Sequence, residues 1–263
     1  MNPKHKIKLI IFDISGTIID HGSLVTVITF KKVFNNFGIK VNPQLIIKDM
    51  GIKKENHIKK ILNEDQIKIQ FKNKHGIVKI SNKIFNKICL DFDKELKIQV
   101  KKKLSFIKGF KNLYKFTKKN NIKIGLTTGY PRSVLNIILR YFKEKNFLPH
   151  YAVSTSDVKR GRPCGDMTLK IIKKLKIKKK HVLKIDDSIS GIEEGKNAGV
   201  KTIGLTLSGI NFLNTYKKRK DLSIKKLNQM HSKISKRFIK AKTDFIIKDI
   251  SFLKKTLLDK KII

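Results

Sequence analysis

The chain has 263 residues, with 61 lysines and arginines against 20 aspartates and glutamates and a formal net charge of +41. That length supports one substantial core carrying an insertion, or two modest domains; no apolar run is long enough to cross a bilayer, and Ile7 to Phe12 lacks the length and cleavage site of a secretory signal, so a cytoplasmic protein is expected. The charge invites a nucleic-acid partner through counterion release, but lysine is spread through almost every segment, arginine is scarce and no nucleic-acid module stands out, so non-specific stickiness at low salt is expected rather than a specific nucleic-acid partner.

The first predicted element is the strand Ile7 to Phe12, which runs into Asp13-Ile14-Ser15-Gly16-Thr17. A carboxylate there sits at the carboxyl edge of a parallel sheet, where ligands of open α/β folds bind, and Gly16 lets the backbone turn sharply beside it. Further short apolar runs follow at helix-separated intervals: Ile122 to Thr127, Tyr151 to Ser154, His181 to Ile185, Lys201 to Leu205 and Phe245 to Ile247. Strands alternating with helical stretches predict an α/β fold with a doubly wound parallel sheet. The interval between the first two strands exceeds any single crossover. Within it, Ser23 to Phe37 carries a helical repeat that stops at Gly38, and Ile58, Ile61 and Leu62, then Ile84, Ile88 and Phe92, continue the helical pattern. A small helical cap domain over 22–104 is therefore expected, inserted into a core of 1–21 and 105–263, with return to the core near Gly109. Cys89 and Cys164 lack metal-ligand spacing and are expected to be reduced thiols.

Three segments beyond the insertion could hold a phosphoryl group. In Leu126-Thr127-Thr128-Gly129-Tyr130 a threonine hydroxyl and the following N–H groups could bind phosphate oxygens at a helix start; a plain capped turn is the alternative. In Lys159-Arg160-Gly161-Arg162-Pro163 an arginine could stabilise charge on a transferring group; a solvated loop is the alternative. In Ile185-Asp186-Asp187-Ser188 two adjacent carboxylates repel each other unless a cation or hydrogen bonds relieve them. Mg²⁺ is one such relief, and Asp187 acting only as a helix cap is the other reading.

The loop Asp13-x-x-Gly-Thr-x-x-Asp20 resembles the nucleophile loop of the haloacid dehalogenase superfamily, and Met50-Gly51-Ile52-Lys53-Lys54-Glu55-Asn56-His57-Ile58 resembles the Schiff-base segment of the phosphonoacetaldehyde hydrolases. The likeness continues through Thr127-Thr128-Gly129-Tyr130, Gly161-Arg162-Pro163 and Gly195-Lys196-Asn197-Ala198-Gly199, and on to a helical stretch, Leu227 to Phe238, before the last strand. The resemblance implies a haloacid dehalogenase-like core with a cap, a homodimer built through cap helices, and hydrolysis of a phosphorus–carbon bond. In that chemistry Asp13 is the nucleophile and Lys54, or its neighbour Lys53, forms an imine with the substrate aldehyde. Mg²⁺ would be held by Asp13, the Ser15 carbonyl and Asp187, with Asp186 as a further candidate. Thr128, Gly129 and Arg162 would bind the phosphonate, with Met50 packed over the imine. Tyr130 would line the pocket or merely pack at the seam; His57 would position a water or carbinolamine, or make an interhelical hydrogen bond.

This chain departs from the family pattern at four positions: Ser15 replaces a usual alanine, Ser23 a cysteine, Asp186 a glycine, and Gly191 an acidic residue. Members of the superfamily that cleave phosphate esters carry an aspartate two residues after the nucleophile as the acid for a departing alkoxide. Ser15 cannot donate a proton in that way, which accords with a carbon leaving group. A phosphatase or mutase acting on a small phosphate ester, and a polyanion-binding protein on a degenerate fold, are the other readings.

Overall fold

A computed structural model describes residues 6–19, 22–102, 104–212 and 222–261. Asp20 lies outside the described residues, as does the side chain of Ser23. The first strand, β1 (Leu9–Asp13), is buried along its whole length, and its side chains alternate between two clusters. Leu9 and Ile11 join Met167, Ile171 and Val182, whereas Ile10 and Phe12 join Phe110, Leu135 and Phe142. A strand apolar on both faces needs a helical layer over each. The chain supplies them from α6 (Phe110–Lys119), α7 (Arg132–Glu144), α8 (Asp166–Leu175), α9 (Ile189–Asn197), α10 (Ile224–Lys240) and α11 (Leu253–Asp259).

With β2 (Lys123–Thr128), β3 (Tyr151–Ser154), β4 (Val182–Asp186), β5 (Lys201–Leu205) and β6 (Phe245–Ile247), β1 forms a parallel six-stranded sheet in the order β3-β2-β1-β4-β5-β6. The doubly wound sheet expected from the alternating runs is therefore present. The strand order reverses beside β1, and in such sheets the crevice at the carboxyl ends of the reversing strands receives ligand.

Between β1 and α6 lie five helices: α1 (Gly22–Asn35), α2 (Pro43–Lys48), α3 (Lys54–Asn63), α4 (Asp65–His75) and α5 (Asn82–Lys102). The first ends two residues short of the expected Phe37, and Gly38 takes the left-handed φ of +66° that reverses the chain. Their buried residues, among them Phe30, Phe34, Ile58, Ile61, Phe92 and Leu96, belong to the same apolar cluster as Phe12 and Phe110. Gly109, with φ +94°, is the N-cap of α6. Among the described residues no helix is long and apolar enough to cross a membrane.

Candidate active site

Three adjacent strands end in polar side chains: β1 in Asp13, β2 in Thr128 and β4 in Asp186. Asp13 is paired in register with Thr127, and the strand tips open into a pocket lined by Asp13, Ser15, Met50, Lys54, Thr128, Gly129, Tyr130, Arg162 and Asp187, among others. Nearly every site residue expected from the sequence thus meets at one place. Arg162 is buried, which excludes the solvated-loop alternative. It donates from Nη2 to Asp13 Oδ1 at 2.9 Å and to Thr127 Oγ1 at 3.1 Å, and from Nε to Glu194 Oε2 at 2.8 Å. Lys184, fully buried in β4, donates to Thr127 Oγ1 at 2.8 Å and to Asp186 Oδ2 at 3.0 Å. The exposed Arg160 turns away and pairs with Asp166.

The two adjacent aspartates separate into different roles. Asp186 Oδ1 accepts from the backbone N–H of Ser188 at 2.9 Å and from its hydroxyl at 2.7 Å, while Oδ2 faces Lys184 and Arg162. Ser188, not Asp187, caps α9 by accepting from Gly191 N–H, so the helix-cap alternative for Asp187 does not hold. Asp187 instead accepts from Thr17 Oγ1 at 3.0 Å and from Ile210 N–H at 2.9 Å, and no cationic side chain pairs with it among the described residues. Its pKa is pushed well above the carboxylate range by burial and by the neighbouring Asp13 and Asp186. Burial and Asp186 raise Asp13 to about 6, against the opposing pull of Arg162 and Lys184. Oxygen atoms of Asp13, Asp186 and Asp187 lie within 4.8 Å of one another. Buried, oxygen-only donors with surplus negative charge fit a hard divalent cation. Because Asp186 is already committed to Arg162, Lys184 and Ser188, Asp13 and Asp187 are the freer donors.

Across the pocket, α3 begins at Lys54. Its amine is buried, stands 5.7 Å from the centre of the Tyr130 ring, and has its pKa lowered to about 8 by burial and by the Arg162 cation. Among the described residues only Lys54 and Lys184 are buried lysines, which sets both apart from the dispersed basic surface. Lys53 points outward and lies 3.9 Å from the exposed Glu55. Met50 and Gly51 bring the inserted segment onto the sheet edge: Gly51 has φ +99°, and a Cβ there would stand 2.5 Å from Ser190 Oγ. A Cβ on Gly129 would stand 2.5 Å from the Gly51 carbonyl oxygen, so two facing glycines permit backbone to pass backbone. Thr128 Oγ1 accepts from Tyr130 N–H at 3.1 Å, and the Tyr130 hydroxyl bonds Thr26 Oγ1 at 3.0 Å. Tyr130 therefore both lines the pocket and joins α1 to the turn after β2. His57 is fully buried one turn behind Lys54, against Phe30 at 4.5 Å between ring centroids, and is not among the residues that line the pocket. Burial, with the Lys54 cation adding, lowers its pKa to about 2, so it is neutral.

Sequence reasoning missed Lys184, Glu194 and Thr17. A lysine in the middle of an apolar strand was a usable signal, since an unpaired cation there is prohibitively costly, and it was lost in the lysine background. Glu194 stands on α9, where Oε1 accepts from Thr168 Oγ1 at 2.6 Å and Oε2 holds Arg162.

Comparison with known proteins agrees with this geometry. The family model described as haloacid dehalogenase-like hydrolase matches residues 10–205. A phosphonoacetaldehyde hydrolase of Latilactobacillus sakei is 32% identical, covering 94% of this chain and 93% of that one. The phosphonoacetaldehyde hydrolase of Bacillus cytotoxicus is 28% identical over 94% of each chain. A crystal structure of a phosphonoacetaldehyde hydrolase like protein from Oleispira antarctica superposes with a TM-score of 0.90 at 28% identity, covering 97% of this chain and 92% of that one. This chain belongs to the haloacid dehalogenase-like hydrolases and, within them, to the phosphonoacetaldehyde hydrolase family of enzymes.

Proposed function

We propose that the enzyme hydrolyses the phosphorus–carbon bond of phosphonoacetaldehyde to acetaldehyde and inorganic phosphate, through an imine on Lys54 and a phosphoryl group carried on Asp13. The observation that carries this reading is that a buried amine of lowered pKa and a buried strand-end carboxylate line one pocket. With a pKa of about 8, Lys54 holds an appreciable share of free base near neutrality. The amine adds to the aldehyde carbonyl and expels water, giving an iminium. Asp13 attacks phosphorus, and the electron pair of the breaking P–C bond moves into the iminium, leaving a neutral enamine on Lys54. Protonation of the enamine carbon followed by hydrolysis releases acetaldehyde and restores the amine. Water then hydrolyses the aspartyl phosphate to return Asp13 and phosphate. The carbon departs as an enamine and needs no acid at position 15, where Ser15 carries only a hydroxyl.

Arg162 serves the phosphonate oxygens and holds Asp13 Oδ1, and Thr128 with the Gly129 N–H completes the anion site. Mg²⁺, held by Asp13, Asp187 and the Ser15 carbonyl, would offset the charge of nucleophile and phosphonate. Residues 22–104 act as the cap that brings Lys54 and Met50 over the sheet edge. A homodimer is the assembly proposed for it; Leu90 and Ile98, 62% and 47% exposed on α5, are apolar side chains that such an interface would cover.

The test is product analysis with Mg²⁺ present. Equimolar acetaldehyde and phosphate from phosphonoacetaldehyde support the reading. Phosphate release from small phosphate esters alone would replace it with an ester phosphatase.

A further inference from the structure

Arg162 reaches Asp13 with a single nitrogen, Nη2, which also faces Thr127 and, at 3.3 Å, Asp186 Oδ2. Asp186 is fully buried and is itself fixed from both sides, by Ser188 on Oδ1 and Lys184 on Oδ2. A buried carboxylate placed in this way restrains the guanidinium plane that Glu194 grips only at Nε. The space that carboxylate fills exists because of one glycine. A Cβ built on Gly191 would overlap the Asp186 carboxyl group, so a side chain at position 191 and the acid at position 186 compete for one volume.

We propose that Asp186 is a positioning residue for Arg162, and that Gly191, whose missing side chain leaves it room, marks a second backbone position from which the same anion could be delivered. The inference rests on the proposed role of Arg162 at the phosphonate. Without Asp186, Arg162 keeps its pairs with Asp13 and Glu194 but loses the third carboxylate that restrains Nη2, and the guanidinium is free to turn away from an entering oxyanion. Removing a negative charge beside an anion site would by itself tighten phosphate binding, so a loss of affinity separates positioning from a change in charge alone.

The experiment is a cycle of Asp186→Gly, Gly191→Asp and the double variant on the full chain. Inorganic phosphate affinity is measured by calorimetry in saturating MgCl₂, kcat/KM with phosphonoacetaldehyde is measured in parallel, and thermal melts confirm folding. Each single variant is expected to weaken phosphate about tenfold or more, one by leaving Arg162 unrestrained and the other by crowding Asp186. The double variant is expected to recover most of that loss. Asp186→Asn, which keeps the shape and lacks the charge, should weaken phosphate in a chain that still folds. Wild-type phosphate affinity in Asp186→Asn, or a folded double variant no better than the weaker single, would overturn the proposal. Because phosphate binding needs no Lys54 chemistry, the cycle can succeed even where phosphonoacetaldehyde is not turned over, and the two readings fail separately.

Discussion

The Lys54 amine stands 5.7 Å from the centre of the Tyr130 ring, and the Tyr130 hydroxyl is 3.0 Å from Thr26 Oγ1. One aromatic side chain thus joins the amine of α3 to α1 and to the turn that follows Thr128. The ring offers the protonated amine a cation–π contact without neutralising it, and burial together with Arg162 pulls the pKa down. The Lys54 amine and the Thr128 turn are in this way held in register by the seam between inserted helices and sheet.

Removal of the amine should be close to fatal. Lys54→Ala is expected to lower kcat by about 10⁴-fold or more, the scale seen when a member of a covalent catalytic unit is lost. Lys53→Ala is the control, because an exposed pair such as Lys53 with Glu55 contributes only ~0–1 kcal/mol and should leave folding and turnover nearly unchanged. Steady-state rates of the two variants check this.

The pH dependence follows from the same amine. Free base is needed to attack the aldehyde, so kcat/KM should rise with pH through an apparent pKa of about 8. The same shift affects stability. Between about 8 and the ordinary lysine value of 10.5 the unfolded chain binds a proton that the folded chain does not, so this group's cost to stability is greatest below about 8 and is relieved as pH rises through that window. Denaturant melts of wild type and Lys54→Met across pH 7 to 10.5 should converge as pH rises.

Gly129→Ala tests the close passage of the two glycines. Its Cβ would meet the Gly51 carbonyl oxygen at 2.5 Å and the Ile52 carbonyl oxygen at 3.1 Å, both backbone atoms that cannot rotate aside. The Met50 segment must shift, and a displacement on the order of 1 Å between amine and anion site can cost about 100-fold in rate. A large fall in kcat/KM with only a small change in melting temperature is expected.

Arg162→Ala removes the one ion-pair partner that Asp13 has among the described residues, and leaves the buried Asp186 and Glu194 to Lys184. Breaking a buried pair from one side typically destabilises by about 3–5 kcal/mol, and a urea unfolding curve at neutral pH should show a loss of that order.

The sheet was legible because each strand is a short apolar run and β1 is buried on both faces; the strand limits differ from expectation by at most two residues. Asp13, Thr128, Arg162 and Asp187 were legible because strand ends and an Arg-Pro loop stand out against any background. Lys184 was not, since a buried lysine looks like every other lysine in a chain of net charge +41. That Lys54 lines the pocket and Lys53 does not needed the start of α3, which turns consecutive side chains to different sides. The separate roles of Asp186 and Asp187 needed the β4–α9 turn, where neighbouring carboxylates diverge, one to Ser188 and Lys184 and the other to Thr17 and Ile210.

The most direct measurement is borohydride reduction in the presence of phosphonoacetaldehyde, followed by peptide mass spectrometry. The account predicts irreversible inactivation and a reduced two-carbon adduct on Lys54, absent from Lys54→Ala. Continued turnover of phosphonoacetaldehyde with no adduct, or an adduct confined to another lysine, would contradict it.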